Sequence, residues 1–204
     1  MMSMGTPSHV IAGRAGSVAF PECLSVLKAA SADDPFTNWL STTEEVRTRY
    51  LRYVLTSGFR TGWVALGRPR GGVCVATPTR TVADPCVWWA WLRFRVALQE
   101  EHWRVLQDIS TSLRAASGAS GVLVWYLGVA RRFRGGDLAV RLLARALPGR
   151  GVTPVFVQTA KPALSRVLSR RGGQEVARTD LPGSSLTMRL YRVDERRSLS
   201  VGEQ

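Results

Sequence analysis

The chain is poor in three residue types that often carry chemistry. Its 204 residues include three cysteines and two histidines, and Lys28 and Lys161 are the only lysines among 28 basic residues. An odd number of widely spaced cysteines argues against a disulfide framework and a closed zinc site, so no metal is expected. Cys74 and Cys86 adjoin apolar, strand-like residues, and we expect both thiols to be buried. These features fit a reducing cytoplasm.

Long apolar runs are also missing. No stretch approaches the roughly 20 apolar residues of a transmembrane helix, and segment 1–12 has neither the basic start nor the apolar centre of a secretory signal. We therefore expect no membrane partner. Because 45% of the 204 residues are apolar, the chain can bury one ordinary core. The predicted organisation is a lead-in at 1–16, one domain at 17–194 and a tail at 195–204.

Acidic residues are outnumbered, and the imbalance is uneven along the chain. The formal net charge is +13, and between Ser120 and Arg178 eleven basic residues are opposed only by Asp137 and Glu175. Such a stretch attracts polyanions, including nucleotides, RNA and the acidic surface of a carrier protein. An arginine-rich codon usage would produce the same excess without any function, and composition leaves both explanations open.

The periodicity of apolar residues predicts an α/β protein with a mixed sheet of about six to seven strands and helices on both faces. Helices are predicted over Phe20–Ala30, over Thr43–Ser57 (after a capping box at Ser41–Glu44, with an end at Gly58), within Trp88–Leu113, over Arg134–Leu147 and over Ala163–Arg171. Strands are predicted over His9–Ala12, Trp63–Leu66, Val73–Ala76, Val122–Val129, Val155–Gln158, Glu175–Arg178 and Ser185–Tyr191.

The most informative stretch is the junction Tyr126–Ala139, where a buried strand runs into a helix through a glycine-containing turn. The first N–H groups of a helix have no partner within the helix, and the positive end of its dipole lies behind them, so such a turn binds phosphate. Gly135 and Gly136 permit the tight turn. Positive charge is added by Arg131, Arg132 and Arg134.

This stretch resembles motif A of the Gcn5-related N-acetyltransferases, in which the strand reads Leu-x-Val and the loop reads Arg/Gln-x-x-Gly-x-Gly/Ala. Here the strand is Leu127-Gly128-Val129, and the loop is Arg134-Gly-Gly-Asp-Leu-Ala139. The segment Ala32–Leu40 is similar to one found in an actinobacterial branch that includes the puromycin acetyltransferases. The resemblance extends in order over about Ala30–Arg192 and implies that family's fold.

The resemblance also implies a reaction, the transfer of an acyl group from acetyl-coenzyme A or another acyl-coenzyme A to an amine. The backbone N–H of Val129 would polarise the donor carbonyl, and Tyr126, the other candidate catalytic residue, would line the acceptor pocket. The donor would be held by the strand and loop of the motif: Leu127, Val129, Arg134, Gly135, Gly136, Asp137, Leu138 and Ala139.

Three positions depart from the family pattern. Asp137 replaces the third loop glycine, Leu168 replaces the tyrosine that protonates the leaving thiolate, and Leu164 replaces an asparagine that contacts the cofactor. A carboxylate about 6 Å from a phosphate charge costs about 0.7–3 kcal/mol, although the first turn of a helix also favours an acidic residue. Leu164 and Leu168 are predicted to be core residues.

Other ionisable residues are weaker candidates for acid or base. We expect Glu100, Glu101 and His102 to lie on a solvated helix face, and Asp33 and Asp34 to shape a turn. Tyr191 is a further candidate near the predicted cleft. The aromatic cluster Trp88, Trp89 and Trp91 is expected in the core or in a pocket wall.

Three functions stay open at this point. The first is acyl transfer to a small-molecule amine, in antibiotic biosynthesis or resistance. The second keeps the fold but takes its acyl group from aminoacyl-tRNA or a carrier-protein thioester, which the basic half and the altered loop favour. The third is a non-catalytic binding protein. Edge strands of such sheets also pair, so a homodimer is compatible with each function.

Overall fold

In the computed structural model the described residues are 9–13, 19–68, 71–80, 84–117, 121–134, 138–146 and 154–193. The strands are β1 (His9–Gly13), β2 (Trp63–Arg68), β3 (Gly72–Pro78), β4 (Val122–Val129), β5 (Val155–Thr159), β6 (Gln174–Asp180) and β7 (Thr187–Val193). They form one sheet in the order β1-β2-β3-β4-β5-β7-β6, in which β4 and β5 are parallel and every other neighbouring pair is antiparallel.

Seven α-helices cover the two faces of this sheet in the described part of the chain. They are α1 (Phe20–Ser31), α2 (Pro35–Leu40), α3 (Glu44–Thr61), α4 (Pro85–Arg95), α5 (Glu100–Ser117), α6 (Leu138–Ala146) and α7 (Pro162–Arg170). Helices α1 to α5 pack on one face, and α6 and α7 pack on the other. The mixed α/β architecture predicted from the sequence is therefore confirmed. None of the described helices is both long and apolar enough to cross a membrane.

Strand β3 contributes side chains to the hydrophobic cores on both faces of the sheet. Its residues alternate between the faces because successive side chains of a strand point in opposite directions. Val73 and Val75 join the core under α1 to α5, while Cys74 and Ala76 join the core under α6. All four are fully buried, as expected for an interior strand covered by helices on both sides.

Helix α3 corrects the predicted end at Gly58. The helix continues to Thr61, and Gly58 is buried in its last turns. A Cβ atom at position 58 would lie 2.5 Å from Cγ1 of Val75 and 2.9 Å from Cγ2 of Val64. The glycine is therefore required by close approach of the helix to the sheet, not by a turn. The predicted capping box is also wrong in detail, because the Ser41 hydroxyl accepts from the N–H of Thr43.

The long helical stretch predicted within Trp88–Leu113 is two helices. After α4, the N–H groups of Ala97 and Leu98 donate to carbonyls three residues back, which tightens the chain and ends the helix. No glycine or proline lies at this break, so the sequence carries no signal for it. The expected place in the core or in a pocket wall is wrong for Trp88, which is 53% exposed, whereas Trp89 lines a pocket between α3 and α4. Cys86 is exposed as well, whereas Cys74 is buried as expected.

The helix predicted over Arg134–Leu147 begins later. A 3-10 turn spans Arg131–Phe133, Arg134 is extended, and α6 begins at Leu138. Residue 147 lies outside the described residues. The remaining strands and helices agree with the predicted elements to within a few residues, except that α2 had not been predicted.

Candidate active site at the divergence of β4 and β5

The parallel strands β4 and β5 pair over only three residues each. Val122, Leu123 and Val124 of β4 lie opposite Val155, Phe156 and Val157 of β5. Beyond this register β4 runs on to Val129 while β5 ends at Thr159, and a cleft of about 60 Å³ opens between them. We call this space the β4–β5 cleft. It is lined by Asp34, Phe36, Tyr50, the segment 124–127, the segment 157–161, Leu164 and Met188.

A β-bulge in β4 determines which side chains enter the cleft. The pairing with β3 skips Trp125, since Val75 lies opposite Tyr126 and Ala76 lies opposite Val124. Val122 and Val124 face α6, as do Leu127 and Val129, whereas Trp125 and Tyr126 both pack on the other face. The extra residue thus shifts the alternation by one position. Without the bulge Tyr126 would point toward α6, away from α1 and α2.

Tyr126 is buried, and its hydroxyl has no hydrogen bond of normal geometry in the described part of the chain. Burial, followed by the negative charge of Asp34, raises the pKa of this phenol well above 10, and the nearby Ser31 hydroxyl opposes the shift. The ring depends on Gly128, because a Cβ there would lie 2.8 Å from Cε1 of Tyr126. A buried polar group without a partner is uncommon, so the hydroxyl is available to a ligand in the cleft.

Asp34 enters the cleft from the turn between α1 and α2. Its Oδ2 accepts from the N–H (3.0 Å) and the hydroxyl (3.1 Å) of the buried Thr37. Asp34 thereby caps the N-terminus of α2. Its Oδ1 lies 3.3 Å from Nζ of Lys161, at the start of α7. The Asp34 carboxylate is therefore fixed in place and directed toward the cleft.

A second ion pair lies close to the first. Arg134 donates to both carboxylate oxygens of Asp33, at 2.5 and 2.8 Å, and its Nε donates to the carbonyl of Val129 at 3.1 Å. The hydrogen bond from Arg134 is the main cause that lowers the pKa of Asp33 to about 2. Since the Asp33 side chain is 54% exposed, solvent screens this pair strongly.

Beyond Val124 the edge of β4 is not paired with β5, and at its end the Val129 carbonyl accepts from Nε of Arg134. The N–H of Ala130 donates to the carbonyl of Gly71 on the β3 side. Neighbouring residues of a strand present their backbone groups to opposite edges. The N–H of Val129 is therefore directed toward the edge that β5 has left, which is the direction the predicted polarising role requires.

Of the predicted donor-binding residues, the structure places some at the cleft and others elsewhere. Leu127 lines the cleft, and Arg134 is held by Asp33. Leu138 and Ala139 begin α6, where backbone N–H groups have no partner within the helix, but the Leu138 side chain is buried in the core. Their binding roles stay predictions. Gly135, Gly136 and Asp137 lie outside the described residues.

The other candidates lie elsewhere, with one exception. The hydroxyl of Tyr191 lies 2.5 Å from the Ser165 hydroxyl and donates to Glu175, away from the cleft lining. His102 packs edge-on against Trp39, with ring centroids 4.4 Å apart, so it is not on a solvated face; Glu100 and Glu101 are exposed as predicted. Leu168 packs in the core under α6 and α7, whereas Leu164 lines the cleft.

Sequence reasoning placed Asp34 in a turn, where it does cap α2, but it did not place Asp34 or Lys161 in the cleft. Two signals were available. Asp34-Pro35 followed by Thr37 is a cap with proline at the first helical position, and Lys161 is one of two lysines in a chain with 26 arginines, again followed by proline. Neither signal reveals that the two side chains meet, because 127 positions separate them in the sequence.

Comparison with known proteins gives the fold. No protein-family model and no curated protein matches the sequence. Among solved structures, a polyamine N-acetyltransferase from Drosophila melanogaster shares 18% identity at a TM-score of 0.57, covering 91% of this chain and 100% of that one. Arylalkylamine N-acetyltransferase 2 from Aedes aegypti shares 14% identity at a TM-score of 0.62, and the match covers 91% of this chain and 98% of that one. The C-terminal condensation domain of Ebony, in complex with β-alanyl-dopamine, shares 8% identity at a TM-score of 0.62, and the match covers 91% of this chain and 99% of that one. The chain has the Gcn5-related N-acetyltransferase fold.

Proposed function

We propose that this protein is an N-acyltransferase that moves an acyl group from acyl-coenzyme A, with acetyl-coenzyme A as the first donor to test, to the amine of a small molecule. The observation that carries the proposal is the β4–β5 cleft. It brings together a fixed carboxylate and a buried phenol whose hydroxyl has no hydrogen bond of normal geometry in the described residues, and it adjoins the edge of β4 that β5 leaves unpaired. Several solved structures with this fold are named as amine acetyltransferases, which supports an amine as acceptor.

Three groups in or next to the cleft have distinct tasks in this reaction. The carboxylate of Asp34 accepts a proton from the acceptor amine as the new C–N bond forms. The N–H of Val129 donates to the donor carbonyl, whose oxygen gains negative charge during attack. Because its pKa is raised well above 10, Tyr126 stays protonated and orients a substrate by donating a hydrogen bond.

The residues present fit a thioester donor in part. The edge of β4 that β5 leaves unpaired and the start of α6 suit a carbonyl and a phosphate respectively. At 60 Å³ the cleft is far smaller than the roughly 300–1,000 Å³ of ligand pockets. Substrates therefore reach it through the open divergence of the strands, not by enclosure within it. When bound, the donor supplies an activated carbonyl and a thiol leaving group.

The positive charge on α7, on the face of the sheet covered by α6 and α7, favours a second donor class. Arg166, Arg170 and Arg171 are exposed on or next to α7, and none has an acidic partner in the described part of the chain. An unpaired cationic surface suits a donor carried by an acidic protein or by tRNA. The condensation domain of Ebony, which has this fold, was solved with β-alanyl-dopamine, so an aminoacyl group is a second acyl group to test.

Calorimetric titration separates the two donor classes. Under the main proposal, acetyl-coenzyme A binds the wild-type protein with micromolar affinity, and the charge-reversed variant R170E/R171E binds it as tightly. Under the alternative, coenzyme binding is absent, while aminoacyl-tRNA or an acylated carrier protein binds at 50 mM salt, weakens steeply by 200 mM and is lost in R170E/R171E. Absence of binding to every donor contradicts both.

A further inference from the structure

Lys161 occupies a particular place in the cleft. It lies between the end of β5 and the first residue of α7, and its backbone N–H donates to the Thr159 hydroxyl at 3.0 Å. Thr159 is itself buried, so the position of Lys161 at this corner is well supported. Its side chain lines the β4–β5 cleft together with Asp34 and Tyr126, and is about one-third exposed.

Lys161 is the one cationic side chain among the described residues that line the cleft. The neighbouring cation, Arg134, is engaged by Asp33 and by the carbonyl of Val129. The ammonium of Lys161 shares only Oδ1 of Asp34, because Oδ2 is occupied by the two groups of Thr37. Two of its three N–H bonds therefore stay available to a ligand beyond the contact with Asp34.

The reaction also needs a group that delivers a proton to the leaving sulfur. Amide formation from a thioester breaks a C–S bond and leaves a thiolate, and the position that carries a tyrosine in the resembled family is Leu168, which packs in the core. Tyr126 is a poor proton donor because burial raises its pKa. An arginine would not serve either, since a guanidinium does not deprotonate in proteins.

We propose that Lys161 is the catalytic acid of this site and that its ammonium gives a proton to the sulfur as the C–S bond breaks. The role rests on the proposed function. The proton balance closes through Asp34, which takes one proton from the attacking amine and passes it to the neutral Lys161 amine 3.3 Å away. Overall one proton moves from nitrogen to sulfur, and both side chains return to their starting charge.

The test compares leaving groups. Wild type, K161M and K161R are assayed with one amine and two acetyl donors, acetyl-coenzyme A and S-(4-nitrophenyl) thioacetate. The nitrothiophenolate is stable without a proton and needs no acid. With acetyl-coenzyme A we expect kcat/KM of K161M to fall by about 10²–10³-fold, and K161R to fall nearly as far. With the nitrophenyl thioester both variants are expected to stay within about fivefold of wild type, because general acid catalysis no longer contributes.

Other outcomes are distinguishable. Equal losses with both donors mean that Lys161 only holds α7 against the α1–α2 turn, and they contradict the catalytic role. Full activity of K161R with acetyl-coenzyme A also contradicts it, since a fixed positive charge would then be sufficient. If wild type transfers from neither donor to any amine, the proposed function itself fails. Circular dichroism and urea unfolding of the variants confirm that each one is folded.

Discussion

Asp33 and Arg134 are 101 positions apart in the sequence and form a two-point ion pair in the fold. The pair joins the turn after α1 to the segment that leads from β4 toward α6. Arg134 belongs to the loop predicted to hold the donor, and Asp33 adjoins Asp34 in the cleft. The donor side and the acceptor side of the site are therefore linked through one contact.

Breaking this pair is expected to strengthen donor binding. In D33N the Arg134 side chain loses its anionic partner and is free to meet a phosphate. Exposed ion pairs contribute roughly 0.2–1 kcal/mol, so we expect the dissociation constant for acetyl-coenzyme A to fall by about 1.5–5-fold. Calorimetric titration measures it. R134Q serves as the matched control, and weaker binding in D33N would contradict the expectation.

The same pair predicts a small pH effect on stability. The pKa of Asp33 is lowered to about 2 in the folded protein, from its ordinary value of 3.8. Its contribution is therefore fully present above about pH 4 and is lost as the pH falls toward 2. Because the side chain is half exposed, we expect less than about 1 kcal/mol. Urea unfolding of wild type and D33N should differ slightly at pH 6 and converge near pH 2. A difference that grows on acidification would contradict this.

Tyr126→Phe separates stability from activity. The hydroxyl has no normal hydrogen bond in the described residues, so its removal relieves a buried polar group and is expected to raise the free energy of unfolding by about 1 kcal/mol or leave it unchanged. If the hydroxyl donates to a bound substrate, kcat/KM falls by about 10²-fold. A loss of stability would show that the hydroxyl is hydrogen-bonded in the folded protein, and full activity would show that it has no role toward substrate.

Thiol reactivity tests the burial of the cysteines. Burial raises the pKa of Cys23 and of Cys74 to about 12, so neither forms thiolate near neutral pH. Cys86 is exposed at the start of α4. We expect a disulfide reagent to titrate one thiol per native chain at pH 8, none in C86A, and all three in urea. Two or three rapid thiols in the native protein would contradict the packing of α1 and β3.

Gly58 tests the approach of α3 to the sheet. Alanine normally favours a helix by about 1 kcal/mol over glycine, but its Cβ would lie 2.5 Å from Val75, and such overpacking costs about 1–3 kcal/mol. We expect G58A to be destabilising in urea unfolding. In a double-mutant cycle, G58A/V75A should be less destabilised than the sum of the single changes. Additive effects would contradict a direct contact.

Long periodic helices and strands were predictable from the sequence, but contacts between side chains far apart in the sequence were not. The continuous apolar run of β4 identified the central strand, and the following turn identified the neighbourhood of the site. The helix end predicted at Gly58 was wrong because a glycine in a helix marks a close contact as readily as an end. The bulge at Trp125 has no local signature, yet it decides that Tyr126 faces the cleft.

The chemistry of the site was only half visible for a related reason. Tyr126 and Val129 lie in the motif itself and could be named from it. Asp34 and Lys161 belong to separate turns, and each reads locally as a helix start. Only the sheet order, which places β5 beside β4, brings the two turns together.

The central claim is that the β4–β5 cleft transfers an acyl group, and one assay addresses it directly. Wild type and D34N are incubated with acetyl-coenzyme A and a panel of agmatine, polyamines and arylalkylamines, with thiol release and product mass measured together. Asparagine caps a helix as well as aspartate, so D34N keeps the turn and removes the proton acceptor. We predict an N-acetylated product with wild type and a loss of about 10²–10⁴-fold in D34N. Equal turnover by both proteins, or an absence of product with every amine, would contradict the account.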